Sequence, residues 1–184
     1  MRDPVRLPHL GRRRPPLRQL SPDLALGLIA ALGLPPFGIW AATPIALACL
    51  LWRLSRAQPI AAFWHALDAG LGWFALAMHW IVEPFLVEPE IYGWMAPFAL
   101  LLMALGGALF WALPVWLAAR LSPNWRMQAI VIAIMLVLSD WLRGWIFTGL
   151  PWALVGHIWI GTPVAQTAAW IGALGLSTLT MLIA

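Results

Sequence analysis

Between Leu24 and Trp52 the chain runs for 29 residues without a charged side chain. As a single helix that run would be roughly 43 Å long, well beyond a hydrocarbon core of about 30 Å. It is also interrupted by Pro35-Pro36 and Gly38, and a proline pair cannot sit inside a regular helix. One kinked span or a hairpin of two short helices can accommodate it. The hairpin returns Arg53 and Arg56 to the side of the N-terminal arginines, which the positive-inside rule favours. Ser21-Pro22-Asp23 supplies a helix start: a capping serine, proline at the first helical position and an acid in the first turn.

The rest of the chain has the same character. It is 62% hydrophobic and 10% charged, whereas soluble domains carry about a quarter charged residues. The expected fold is an all-α polytopic membrane protein of about six spans. They fall at residues 22–35 and 38–53 for the hairpin, then 60–82, 94–119, 127–141 and 164–184. A basic tail, residues 1–20, precedes this domain of residues 21–184. Loop charges alternate: Arg53 and Arg56, then Glu83, Glu88 and Glu90, then Arg120 and Arg126. This places the N-terminus in the cytoplasm and the segment Asp140 to Pro163 on the outer, periplasm-like face. The last span is still apolar at Ala184, so the chain reads as truncated.

All 11 basic residues are arginine, and six of them fall in the first 18 positions. No basic stripe interleaved with aromatics follows, which excludes a nucleic-acid platform. The tail suits anionic lipid instead. The first apolar run follows this long basic region without an A-x-A cleavage site, so it reads as a retained span.

Polar groups inside the spans need an account. His65 and Asp68 share a helix face three residues apart, with Asp68 about 12 Å into its span by helical rise. They read as a hydrogen-bonded pair facing the bundle interior, with a proton relay or substrate contact as the functional alternative. His79, next to Trp80, reads as an interfacial belt residue. His9, His65, His79 and His157 lack metal-ligand spacing and no cysteine pair assists them, so neither a metal nor a cofactor is implied. A Ser177–His157–Asp140 triad has no G-x-S-x-G elbow around its serine. Cys49, the sole thiol, reads as small core filling. Ala104, Gly106, Gly107 and Ala108 read as a close-packing helix face, and Gly172 to Gly175 as packing glycine.

One stretch concentrates chemistry: DWLRGWIFTGLPWALVGH, Asp140 to His157. Asp140 and Arg143 are three apart at the end of a helix, and Gly144 follows as a C′ residue. The tight turn Thr148-Gly149-Leu150-Pro151-Trp152 lies between Trp145 and Trp152. Two readings apply: a self-satisfied helix terminus, and a phosphate clamp with a guanidinium fork between aromatic walls. The lipid-contact candidates are therefore Asp140, Arg143, Trp145, Thr148, Gly149, Pro151 and Trp152.

In order along the chain, LPPFGIW from Leu34, MHWIVEPFLVEPE from Met78, DWLRGWIFTGLPW from Asp140 and GALGLS from Gly172 resemble the N-terminal membrane domain of bacterial apolipoprotein N-acyltransferases. Asp140 stands where that family usually has Glu, and His79 and His157 where it often has Tyr. The resemblance implies an inner-membrane enzyme that moves an acyl chain from a phospholipid donor to the α-amine of a diacylglyceryl-cysteine lipoprotein acceptor. It also implies that the chemistry belongs to a nitrilase-like domain with a Glu-Lys-Cys triad. This chain has no lysine and one cysteine, so no catalytic residue is assigned within it, and the 184 residues are expected to be inactive alone. The alternative is a non-enzymatic small membrane transporter or lipid-binding module.

Overall fold

The computed structural model describes residues 21–146 and 149–184. The basic tail and Thr148 lie outside the described residues. Among those described there are seven α-helices and no strand: α1 Ser21–Ala31, α2 Ala42–Ser55, α3 Pro59–Ala77, α4 Pro89–Tyr92, α5 Ala96–Leu121, α6 Trp125–Arg143 and α7 Ala168–Ile183. Four apolar stretches are long enough to cross a membrane: Pro59–Ala77, Pro89–Leu121, Trp125–Arg143 and Pro163–Ile183. The first two helices are shorter.

Those two form the expected hairpin. The Pro35–Pro36 turn joins them, and Arg53 near the end of α2 meets Asp23 in the first turn of α1, with Nε to Oδ1 at 2.6 Å. Thr43 of α2 ties the strands of the hairpin further by donating to the Ala30 carbonyl at 2.6 Å. The start of α1, the end of α2 and the α5–α6 turn with Arg120 and Arg126 make up an arginine end of the bundle. The turn at 32–41, the segment 78–95 and the long connection 144–167 make up the opposite, loop end.

Helix α3 packs between α1 and α5, and small residues set how close they come. A Cβ on Gly27 would lie 1.9 Å from the Ala69 carbonyl oxygen, and one on Gly72 would lie 2.3 Å from that of Leu24. Backbone meets backbone at this crossing, and only glycine fits. On the other side of α3, Gly107 of α5 accepts the ring of Phe74. Next to it Trp73 and Trp111 stack with centroids 5.6 Å apart, giving the middle of the bundle an apolar aromatic layer. Ala104 and Ala108 join this face as expected, while Gly106 points away from it into open space.

Pro114 lies inside α5 and has no N–H for the Phe110 carbonyl four residues earlier. The Ser139 hydroxyl of α6 donates to that carbonyl instead. A proline thus survives mid-helix because a neighbouring serine satisfies the group it orphans.

Several expectations change in the structure. The third helix stops at Ala77, and residues His79–Leu86 continue as a 3-10 turn because Pro84 forbids regular helix there. Gly144 keeps right-handed angles (φ −68°), so it is a C-cap in the helical region and not a left-handed C′ glycine. Gly172 is a break in α7, with φ +69° and nothing against it, so it kinks the helix where packing was expected. Cys49 is exposed on the outer face of α2, so it fills no core.

Candidate functional site

The connection 144–167 is organised by one buried ion pair. Asp140 and Arg143 share a face of α6, as their spacing requires, and Nη2 meets Oδ1 at 2.9 Å with both side chains only 3% exposed. The other carboxylate oxygen accepts the Val155 N–H at 3.3 Å. The guanidinium donates to three backbone carbonyls of the connection: Leu150 at 3.2 Å, Ala153 at 3.4 Å, and Trp152. Its cationic face lies over the Phe74 ring at 5.0 Å. In return the Leu150 N–H donates to the Arg143 carbonyl at 2.8 Å. A planar fork with donors on separate nitrogens reaches acceptors on two sides at once, which the single ammonium nitrogen of a lysine does not.

The turn inside this wrap depends on glycine. Gly149 has φ +86°, and a Cβ there would lie 2.4 Å from the Gly144 carbonyl oxygen. Three more bonds join the connection to other elements: Trp73 Nε1 donates to the Ala153 carbonyl at 3.2 Å, the Gly156 N–H donates to Ser177 Oγ at 2.9 Å, and Trp159 Nε1 donates to Thr180 Oγ1 at 2.9 Å. Ser177 is therefore an acceptor for the connection's backbone.

The expected clamp is thus turned inward. Arg143 is not walled by tryptophans; its ring partner is Phe74, and its donors face carbonyls, leaving Nε alone without a partner. Trp145 and Trp152 point outward, 74% and 55% exposed. Trp152 tilts against Trp80 with centroids 5.5 Å apart, and Trp40 stacks on Trp159 at 5.4 Å. These ring pairs link the three segments of the loop end. Pro151 is exposed beside Trp152. A cavity of about 330 Å³ opens between α5 and the connection, lined by Met103, Gly106, Phe110, Arg143, Gly149 and other apolar groups. His157 is partly buried, and burial, aided by the Arg143 charge, holds its imidazole below the ordinary histidine range. His79 is tied to the end of α3, its Nδ1 2.8 Å from the Leu76 carbonyl oxygen.

At the arginine end the partners differ from those the spacing suggested. His65 Nδ1 lies 2.6 Å from Oδ2 of Asp23, so it pairs across helices and not with Asp68. Asp68 keeps Oδ2 buried with no hydrogen-bond partner among the described residues. The i, i+3 spacing places both on one face but cannot reveal a third group, 42 residues from His65, competing for it. Asp23 was read only as a helix-start acid. An acid and an arginine bracketing the 29-residue uncharged run were the signal available, because a hairpin brings both ends of that run together.

Residues 26–184 match the family described as "Apolipoprotein N-acyltransferase N-terminal domain". The chain belongs to that family. A Caulobacter vibrioides apolipoprotein N-acyltransferase is 42% identical over 171 residues, covering 89% of this chain and 32% of the relative. The Shewanella oneidensis protein of the same name is 34% identical over 86% of this chain and 32% of its own length. The Sinorhizobium medicae one is 32% identical over 85% and 31%. The chain thus spans about a third of the length of the curated relatives it matches, and residues 26–184 correspond to the N-terminal domain of this N-acyltransferase family.

Proposed function

We propose that this chain is the membrane-embedded part of an enzyme that transfers an acyl chain from a phospholipid to the α-amine of a diacylglyceryl-cysteine lipoprotein. The family match over residues 26–184 carries this reading. The polar groups support it: they gather at the two ends of the bundle, and the Trp73–Trp111 layer between them offers no path for a transported solute. Donor and acceptor are both lipid-anchored, so a platform at headgroup depth supplies proximity, which alone is worth several kcal/mol in a bimolecular reaction. The loop end has the features of such a platform. Trp145, Trp152 and Trp80 are exposed rings suited to headgroup depth. The cavity beside Gly106 and Gly149 has room for part of an acyl chain. In this reading Trp145, Gly149, Pro151 and Trp152 contact lipid, and Asp140 and Arg143 are positioning residues that hold them. The loop end faces the periplasm of the inner membrane and the arginine end the cytoplasm.

The 184 residues supply no activated nucleophile. Acyl transfer needs one with a base and charge stabilisation beside it, whereas Cys49 sits on the outer face of α2 with no lysine in the chain.

A chimera tests the reading. The N-terminal third of the Caulobacter vibrioides relative is replaced by this chain, and N-acylation of a diacylglyceryl-cysteine peptide is followed in membranes. Product at the relative's level is expected. A chimera present at normal abundance that makes none would sink the assignment. The chain alone should form no product, and a hydroxylamine-sensitive adduct on Cys49, absent in Cys49→Ser, would relocate the chemistry.

A further inference from the structure

The arginine end holds a second arrangement that neither ion pair explains. Arg56, at the C-cap of α2, lies between two indoles: its guanidinium carbon is 4.9 Å from the Trp52 ring centroid and 5.1 Å from that of Trp125. Arg126 places a second guanidinium 5.3 Å from the same Trp125 ring. Neither arginine has a carboxylate within ion-pair distance or a side-chain hydrogen bond among the described residues. With two rings against its cationic carbon and no protein acceptor among the described residues, the Arg56 guanidinium keeps its N–H donors free for a planar, bidentate acceptor.

Two cations held about one ring repel each other unless an anion or solvent lies beside them. The corner is also fixed in place. Gln128 of α6, buried, donates from Nε2 to the carbonyls of Leu54 at 2.9 Å and Ala57 at 3.1 Å, stapling the end of α2 to the start of α6. Running on from the cluster both helices present exposed apolar stripes, Trp52 and then Ile45 on α2 and Ile130 and Ile134 on α6. A positive edge above two greasy strips matches a phosphate with acyl chains attached. A free phosphate would use only the edge. A zwitterionic headgroup would bring an ammonium to a corner where, among the described residues, no carboxylate pairs with either arginine.

We propose that the corner between α2 and α6 is a binding site for an anionic phospholipid, its phosphate held by Arg56 and Arg126 around Trp125. This site is independent of acyl transfer and lies at the opposite end of the bundle from the cavity near Arg143.

The test is native mass spectrometry of the purified chain in detergent, titrated with phosphatidylglycerol, phosphatidylcholine or glycerol 3-phosphate. One phosphatidylglycerol should be retained at least tenfold more tightly than phosphatidylcholine. Glycerol 3-phosphate, which has the phosphate without the chains, should bind far more weakly. The pair Arg56→Gln and Arg126→Gln should abolish the preference, whereas Arg120→Gln, which removes one positive charge outside the cluster, should leave it intact. Arg56→Lys keeps the charge and the fold but loses the stacked plane, and should weaken retention several-fold. Equal retention of the two lipids, or loss of preference in Arg120→Gln to the same degree, reduces the corner to generic surface charge and refutes the proposal. Glycerol 3-phosphate binding as tightly as the lipid would make it a soluble-anion site and refute it equally.

Discussion

Two aspartate–arginine pairs stand at opposite ends of this bundle and do different work. Asp23 and Arg53 are 30 residues apart and join two helices; Asp140 and Arg143 are one helical turn apart and join a helix to its own connection. In the first pair the arginine is 32% exposed and the acid has a second partner in His65. In the second both groups are buried, and the arginine donates to three carbonyls besides the acid. The difference separates a clasp from a hub. A clasp holds two ends that already pack, whereas a hub supplies the side-chain donors for Leu150, Trp152 and, together with Trp73, Ala153, in a stretch of backbone that has no ladder of its own.

The sharpest way to break the comparison is to remove Arg143. Arg143→Ala leaves the buried Asp140 carboxylate without its cation and the Leu150 and Trp152 carbonyls without their donor, and should cost about 3–5 kcal/mol. Arg143→Lys should be nearly as damaging, since one ammonium cannot span those acceptors. Thermal unfolding in detergent measures the loss, and hydrogen exchange of residues 150–156 locates it. Asp140→Leu with Arg143→Met removes both charges yet should recover little, because the carbonyls stay orphaned. A double variant near wild-type stability would reduce the hub to an ordinary ion pair.

The clasp should respond differently. Arg53→Ala is expected to cost roughly 1–3 kcal/mol, the range for a hydrogen-bonded charge. Here Asp23→Leu with Arg53→Met should recover most of that loss, since apolar groups can fill the site. If that double variant is as unstable as the single one, the hairpin depends on the charges themselves and the two sites are alike.

The smallest effect comes from His157, which lies outside the spans and near Arg143. Its folded pKa is below the ordinary value of 6.5, so the folded state binds fewer protons than the unfolded one. Its contribution is complete above that value and is lost as pH falls through and below it. Acidification from neutral pH should thus speed exchange in residues 150–156, and His157→Gln should flatten that response.

The hairpin and the alternation of helices and loops were legible because prolines and charges punctuate a chain that is otherwise apolar. The Asp140–Arg143 pair was legible too, since a single helix fixes its geometry. What it holds was not: the carbonyls of Leu150, Trp152 and Ala153 carry no side-chain signature, and the fold of the connection decides that they converge. Asp23 was misjudged for a related reason. Its local role as a helix-start acid was complete in itself, and only the antiparallel return of α2, with the start of α3 beside it, supplies Arg53 and His65. Cys49 shows the limit of hydropathy, because in a membrane protein an apolar neighbourhood describes the lipid face as well as the core.

The brevity of the first hairpin has a consequence for the bilayer beside it. Helices α1 and α2 have 11 and 14 residues, so the longer rises only about 21 Å, roughly 9 Å less than a typical hydrocarbon core. Its turn is nevertheless greasy, with Phe37, Ile39 and Trp40 exposed, and its N–H groups bond internally, Gly38 to Leu34 and Ile39 to Leu32 among them. A turn with its backbone satisfied can rest in hydrocarbon, which an open loop cannot. Along this flank the mismatch is met by local thinning of the leaflet or by burial of the turn within it. Either way, lipid headgroups and protein backbone come to different depths here than beside the 26-residue helix α5, giving the domain a thin side and a thick side.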